Sequence, residues 1–258
     1  MKVEVSEDVL KKYESQYNEK IIEWRDTGGY YKAQHIMTLC ERQGIKPRKV
    51  LEVGAGEGSI LRHLDEADFA EEFYALEISK TGVEFLQRRN FSKLIEARVF
   101  DGYTIPYEDK SFDLVILSHV LEHVEYERRV LRELKRVSDL HAIEVPLDFC
   151  VDVDERWTTY MGYGHINIYN PALLRFLLRS EGLEILDEVL DIHGEKVFEY
   201  KTFVMEKRAD TYENRTAVEQ QLKIARDKFE SRKGREKEMY AKDFSVLTRD
   251  TGKSISIF

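Results

Sequence analysis

The chain changes periodicity near residue 45. Over residues 6–44, charged and apolar positions recur at helical spacing, and the pattern predicts two helices broken at Thr27-Gly28-Gly29. Beyond that point short apolar runs alternate with amphipathic stretches. KVLEV (49–53), EFYALEI (72–78), LIEARVF (94–100), FDLVILS (112–118) and LHAIEVP (140–146) read as strands. SILRHLDEA (59–67), KTGVEFLQRRN (80–90) and YERRVLRELKRV (126–137) read as the helices between them. FDLVILS is apolar almost throughout, as a strand covered on both faces should be. Asn170 and Pro171 supply an N-cap and a first-turn proline for the helix ALLRFLLRSEG. LEILDEVLD (183–191) and KVFEYKTFVME (196–206) are joined only by IHGE, which predicts an antiparallel hairpin. A charged helix is expected within 211–243.

Strands and helices alternating at this pitch predict an α/β fold. The expected architecture is a doubly wound seven-stranded sheet, mostly parallel, with one antiparallel strand at its end. It divides into an N-terminal helical lid (1–44), a core domain (45–206) and a charged C-terminal helical extension (207–258).

Composition narrows the function classes. The 258 residues are 42% hydrophobic and 11% aromatic, enough for a sizeable core, and the net charge is −9. The first 205 residues hold 27 basic and 39 acidic side chains, whereas the rest hold 13 and 10, so the excess of acid lies in the core. That balance disfavours a protein that coats nucleic acid or an anionic membrane. Two cysteines, Cys40 and Cys150, make neither a disulfide framework nor a metal-ligand set. The charged N-terminus lacks the apolar stretch of a signal peptide, and no apolar run nears the roughly 20 residues of a membrane helix. A cytoplasmic location is expected. The tail reads as a solvated or docking helix.

LEVGAGEGSI (51–60) carries the chemistry. Gly54, Gly56 and Gly58 follow a strand and precede a helix. No G-x-x-x-x-G-K-[ST] follows, so a P-loop fails. A dinucleotide G-x-G-x-x-G also fails, because its third position is Ser59. Glu52, at the strand's end, would repel a pyrophosphate and suits a cationic ligand.

The stretch resembles the E/D-x-G-x-G-x-G motif of class I methyltransferases that use S-adenosyl-L-methionine (SAM), and the resemblance continues in order. Glu77 ends the second strand and is followed by Ile78; FDGY (100–103) follows the third; IPYEDKSFDLVILSHVLEHV (105–124), RRVLRELKRV and HAIEVP come next; then GHINIYNPALLRFLLRSEGLEI (164–185). It covers about residues 45–205 and departs at Ser138-Asp139-Leu140, where the family usually has Pro-Gly-Gly. It implies a Rossmann-like fold with SAM held at Glu52, Gly54, Gly56 and Gly58. Glu77 would take both ribose hydroxyls, with Ile78 beside it. Asp101 would accept from the adenine amine next to Gly102, and Ser118 and His119 would meet the methionyl end. By analogy with the family's N-terminal lids, Tyr17 and Tyr31 would flank the cofactor.

Methyl transfer from a sulfonium releases a neutral thioether, so the enzyme chiefly aligns the nucleophile and excludes water. A base is needed only for a protonated acceptor. His119 and His165 are the candidates, His165 lying in the loop MGYGHINIYN (161–170), which reads as a lid over the acceptor. His123 reads more as a packing residue. The expected acceptor is a hydroxyl or amine of a small molecule such as a sugar, nucleotide-sugar or other metabolite. RNA or protein acceptors, or a non-catalytic SAM-fold binding protein, are the alternatives. The charge and the missing NPPY tetrapeptide disfavour nucleic acid. A homo-oligomer is compatible with the sequence.

Overall fold

The computed structural model describes residues 5–17 and 19–253. A seven-stranded sheet has the order β3-β2-β1-β4-β5-β7-β6. Its strands are β1 (Lys49–Val53), β2 (Glu72–Glu77), β3 (Leu94–Val99), β4 (Leu114–Ser118), β5 (Leu140–Pro146), β6 (Leu183–Asp191) and β7 (Asp243–Asp250). The first five pair in parallel; β7 runs antiparallel to both β5 and β6. The expected doubly wound sheet with one antiparallel strand is therefore what forms.

The helices are α1 (Glu7–Gln16), α2 (Glu19–Arg42), α3 (Ser59–Glu66), α4 (Lys80–Arg88), α5 (Glu127–Val137), α6 (Trp157–Tyr163), α7 (Pro171–Ser180), α8 (Glu195–Glu199), α9 (Tyr212–Glu230) and α10 (Gly234–Glu238). Alternating side chains of the central strands feed two cores. Leu51, Val115, Leu117, Ile143 and Val246 pack with α5 and α7 residues such as Leu131, Leu134 and Leu178. Val50, Leu114, Ile116 and Leu247 pack on the other face with Ile36 and Leu39 of α2 and Leu61 and Leu64 of α3. All five β4 residues are buried. The Asn170 side chain caps α7 by accepting from Leu173 N at 2.9 Å, with Pro171 at its first position.

Three expectations are corrected. Residues 196–206 do not form the seventh strand: they continue α8 into a π-helical turn, Tyr200–Met205. Their apolar residues fit helical spacing as well as alternation, an ambiguity common in short apolar segments. The seventh strand instead comes from DFSVLTRD in the 207–258 segment, where Phe244 to Thr248 are all buried. A central strand covered on both faces need not alternate, and its buried Ser245 and Thr248 bond to Glu144 and His141 O. Second, α2 runs unbroken through Thr27-Gly28-Gly29, and α1 ends at Gln16. Gly29 serves close approach rather than helix ending: a Cβ there would stand 2.6 Å from Ser59 Cβ. Third, part of the expected lid loop is helical, because α6 extends to Tyr163 and ends on Gly164 at φ +84°.

Candidate active site

The carboxyl ends of β1, β2, β4 and β5 open into one cavity of about 1800 Å³, roofed by residues of α1, α2, α6, α8 and α10. A single drug-sized ligand needs about 300–1,000 Å³, so this volume accommodates two ligands side by side.

At one end lies the glycine loop, with Gly54, Gly56 and Gly58 all at positive φ. Gly54 N and Ala55 N donate to Leu76 O at 2.8 and 3.0 Å, which ties the loop to β2. A Cβ on Gly54 would lie 2.4 Å from Val120 Cγ2, so only glycine fits. Gly56 N donates to Glu77 Oε2 at 2.9 Å, and Ser79 N donates to Glu77 Oε1 at 3.0 Å. Each Glu77 oxygen thus holds one backbone donor and keeps acceptor capacity for another. Burial raises the Glu77 pKa, while the Ser79 and Gly56 N–H bonds oppose the rise. Glu52 is buried with Oε2 unpartnered, and desolvation holds its pKa well above the usual carboxylate range. A cation delivered there would restore its charge.

Tyr17 covers this end. It is buried, its ring takes the Arg25 guanidinium at 4.6 Å, and Gly82 leaves room for it: a Cβ there would be 2.9 Å from Tyr17 Cζ. Burial, reinforced by the Glu77 charge, pushes the Tyr17 pKa up. Arg25 also donates to Glu57 Oε2 at 3.2 Å, so α2 grips the glycine loop directly.

Of the residues singled out from sequence, Glu52, Gly54, Gly56, Glu77, Ile78, Gly102, Ser118, His119, His165, Tyr17 and Tyr31 line the cavity. Gly58 and Asp101 stand outside that lining. Gly58 turns the chain into α3 against Leu86 and Phe91. Asp101 Oδ1 accepts from Tyr103 N and Thr104 N at 2.9 and 2.6 Å, which shapes the loop that carries Gly102. Tyr31 packs on Gly194, where a Cβ would stand 2.0 Å from its Cζ.

At the other end, Glu144 near the end of β5 collects partners that sequence reasoning missed. His35 of α2 contacts Glu144 Oε2 through Nδ1 at 2.8 Å and Asp191 Oδ2 through Nε2 at 3.0 Å. Ser245 Oγ also donates to Glu144. Burial depresses the His35 pKa, but Asp191 and Glu144 outweigh it and carry it up to about 10, while Glu144 sits well below the usual range. His119, at φ +54°, places Nε2 3.3 Å from Glu144 Oε1 and 3.4 Å from Asp243 Oδ1. Burial and Lys32 push its pKa down; Asp243, Glu144 and Glu122 prevail and raise it to about 9. The one available signal was a glutamate inside the apolar run AIEV; its partners come from distant segments.

Beside this network, His165 Nδ1 lies 2.5 Å from Asp148 Oδ2, and His123 Nδ1 lies 3.0 Å from Gly164 O. The two rings meet edge to face, 4.9 Å apart.

Comparison with known proteins places the fold in a family. Residues 51–139 match a family profile described as a methyltransferase domain. The demethylmenaquinone methyltransferase of Thermotoga maritima is 32% identical over 172 residues, which are 57% of this chain and 74% of that enzyme. Ajmaline N-methyltransferase of Rauvolfia serpentina is 31% identical over 97 residues, but the match spans only 33% of that enzyme. In fold, the [4+2]-cyclase SpnF superposes with TM-score 0.56 at 19% identity, covering 83% of this chain and 79% of its own. A Galdieria sulphuraria protein described as a sarcosine dimethylglycine methyltransferase gives 0.59 at 17%, covering 83% of each chain. The fold is that of a class I methyltransferase. The chain belongs to the SAM-dependent methyltransferase family, with SAM as methyl donor. Among the described residues no helix is long and apolar enough to cross a membrane.

Proposed function

We propose that this protein methylates a hydroxyl or amine of a small molecule held beside SAM in the shared cavity. The observation that carries the reading is continuity: one cavity joins the Glu52–Glu77 end to the His165–Glu144 end. When bound, SAM supplies a methyl group on a positively charged sulfur that departs as a neutral thioether.

The chain's own groups suit that task. Glu77 offers two fixed oxygens to vicinal hydroxyls, and the unpartnered Oε2 of Glu52 suits an ammonium. The bare backbone at Gly56 admits close approach, and Tyr17 with α1 shields the region from water. At the acceptor end, His119 carries a proton at neutral pH and is poorly placed to take another. His165 is better suited as base, because Asp148 engages Nδ1 and leaves Nε2 for the acceptor.

A roofed cavity and a net charge of −9 favour a small molecule over a polymer. The test pairs calorimetric titration with SAM and a labelled-methyl assay on fractionated cell metabolites, with RNA and protein fractions in parallel. Binding of SAM and labelling of a metabolite are expected. Absence of SAM binding, or label only in RNA or protein, would overturn the proposal.

A further inference from the structure

Next to His119 and His123, which line the cavity, lies a buried carboxylate with nothing to bind. Glu122 is 1% exposed, and neither of its carboxylate oxygens has a hydrogen-bond partner among the described residues. A buried carboxylate in that state costs several kcal/mol unless something compensates it. Its nearest basic atoms are His119 Nδ1 at 3.6 Å and His123 Nε2 at 3.7 Å from Oε1. Those separations exceed hydrogen-bond reach. The 3.7 Å between Glu122 and His123 is a few tenths of an ångström above the spacing of atoms sharing one ion: ligands at 2.0–2.2 Å from a zinc-sized cation stand about 3–3.5 Å apart.

The geometry points to a divalent transition-metal site made by Glu122, His123 and His165, open toward the acceptor end of the cavity. One ligand atom from each residue lies within 4.8 Å of the others. Both imidazoles are oriented as metal-binding histidines are, with Nδ1 engaged by an oxygen that fixes the ring and frees Nε2. For His123 that oxygen is Gly164 O, and for His165 it is Asp148 Oδ2.

The two halves of the site are stitched together. Ile166 N and Asn167 N both donate to Glu122 O, at 2.8 and 3.1 Å, and Asn167 Nδ2 donates to Leu121 O and Val124 O. The site is therefore preorganised. Two imidazoles and one carboxylate suit Zn²⁺, Co²⁺, Fe²⁺ or Mn²⁺, and three protein ligands leave coordination positions open.

A second cluster, His119, Glu144 and Asp243, has a similar layout, but its central carboxylate, unlike that of Glu122, is already engaged. Glu144 accepts from Ser245 and pairs with His35, so protons fill the place of an ion there. The ion's purpose rests on the methyl-transfer reading: its open positions would select acceptors bearing oxygen donors and would make His165 a ligand rather than a base. Its binding does not rest on that reading.

The test uses untagged full-length protein stripped with chelator and titrated with Co²⁺, then Zn²⁺, followed by calorimetry and by the visible absorption of bound Co²⁺. One equivalent should bind. His165→Ala and Glu122→Gln should each weaken binding at least tenfold, and Asp148→Asn about 10–100-fold through the freed ring. Asp243→Asn should leave binding intact. Circular dichroism and SAM titration of the metal-free proteins report folding independently. Absence of stoichiometric binding to wild type, or binding that survives both ligand variants, overturns the site. Metal binding without SAM binding supports the site and defeats the functional reading instead.

Discussion

The Glu14 carboxylate on α1 accepts from both the backbone N–H and the hydroxyl of Thr81, at 3.0 and 2.6 Å, and so caps α4 from outside its own chain segment. Lys80 N and Ser79 Oγ donate to the same group. These four donors hold its pKa at about 2 against the opposing pull of burial. The cap begins two residues beyond Glu77, so α1 is anchored at the glycine-loop end of the cavity. A depressed carboxylate pKa stabilises the fold above its unfolded value of 4.5 and loses that contribution as pH falls toward 2. Glu14→Ala should cost about 1 kcal/mol, the usual worth of a cap, seen as about fivefold weaker SAM binding. Calorimetry at pH 7 checks this; unchanged affinity would mean that α1 does not hold the cofactor side shut.

Glu77→Ala removes an acceptor held by two backbone donors. SAM affinity should fall by about 1.5–3 kcal/mol, the loss of charge-assisted hydrogen bonds. If titration finds wild-type affinity, Glu77 leaves the site.

His165→Ala should lower kcat about 10²–10⁴-fold with little change in SAM affinity, whether the ring acts as base or as metal ligand. The two roles part on adding metal. A base predicts no response of the wild type to chelator, whereas a ligand predicts loss of activity that added Zn²⁺ or Co²⁺ restores. Equal loss of kcat and SAM affinity would instead make His165 a cofactor or folding residue.

The His35–Glu144 pair predicts an alkaline effect. A histidine whose pKa rises from 6.5 to about 10 on folding stabilises the protein fully below pH 6.5, and the contribution fades as pH passes through 10. The Tm difference between wild type and His35→Gln should therefore shrink from pH 6.5 to 10. Glu144→Ala should cost about 3–5 kcal/mol, because it takes one of two carboxylate partners from a buried imidazolium and leaves Asp191 alone to hold it. A Tm difference that stays constant across that range would be evidence that His35 is neutral.

The β1–β5 core was legible because each strand is a compact apolar run bounded by polar turns, and LHAIEVP matched its strand end to end. The glycine loop was legible because its spacing excludes phosphate ligands. What stayed hidden depends on contacts between distant segments. Gly29 looks like a helix breaker until Ser59 is seen against it, and Gly82 looks like a weak helix start until Tyr17 fills the space. The Glu144 network draws on α2, β4, β6 and β7, and no local pattern records such a meeting. FSVLT carries two polar residues within a charged tail, and only their partners in β5 reveal a strand.

The insertion of β7 between β5 and β6 orders the assembly of the protein. Until that segment docks, β6 has no neighbour in the sheet and β5 is an edge with unmet backbone groups. Closing it requires contacts between segments far apart in sequence, which form late. The half that carries the glycine loop, β1 to β4, should thus mature first, and the cavity wall at Asp243 and Glu144 should close last. Pulse-labelled hydrogen exchange during refolding should protect β1 and β4 amides before those of β7; simultaneous protection would mean that the sheet closes in one step.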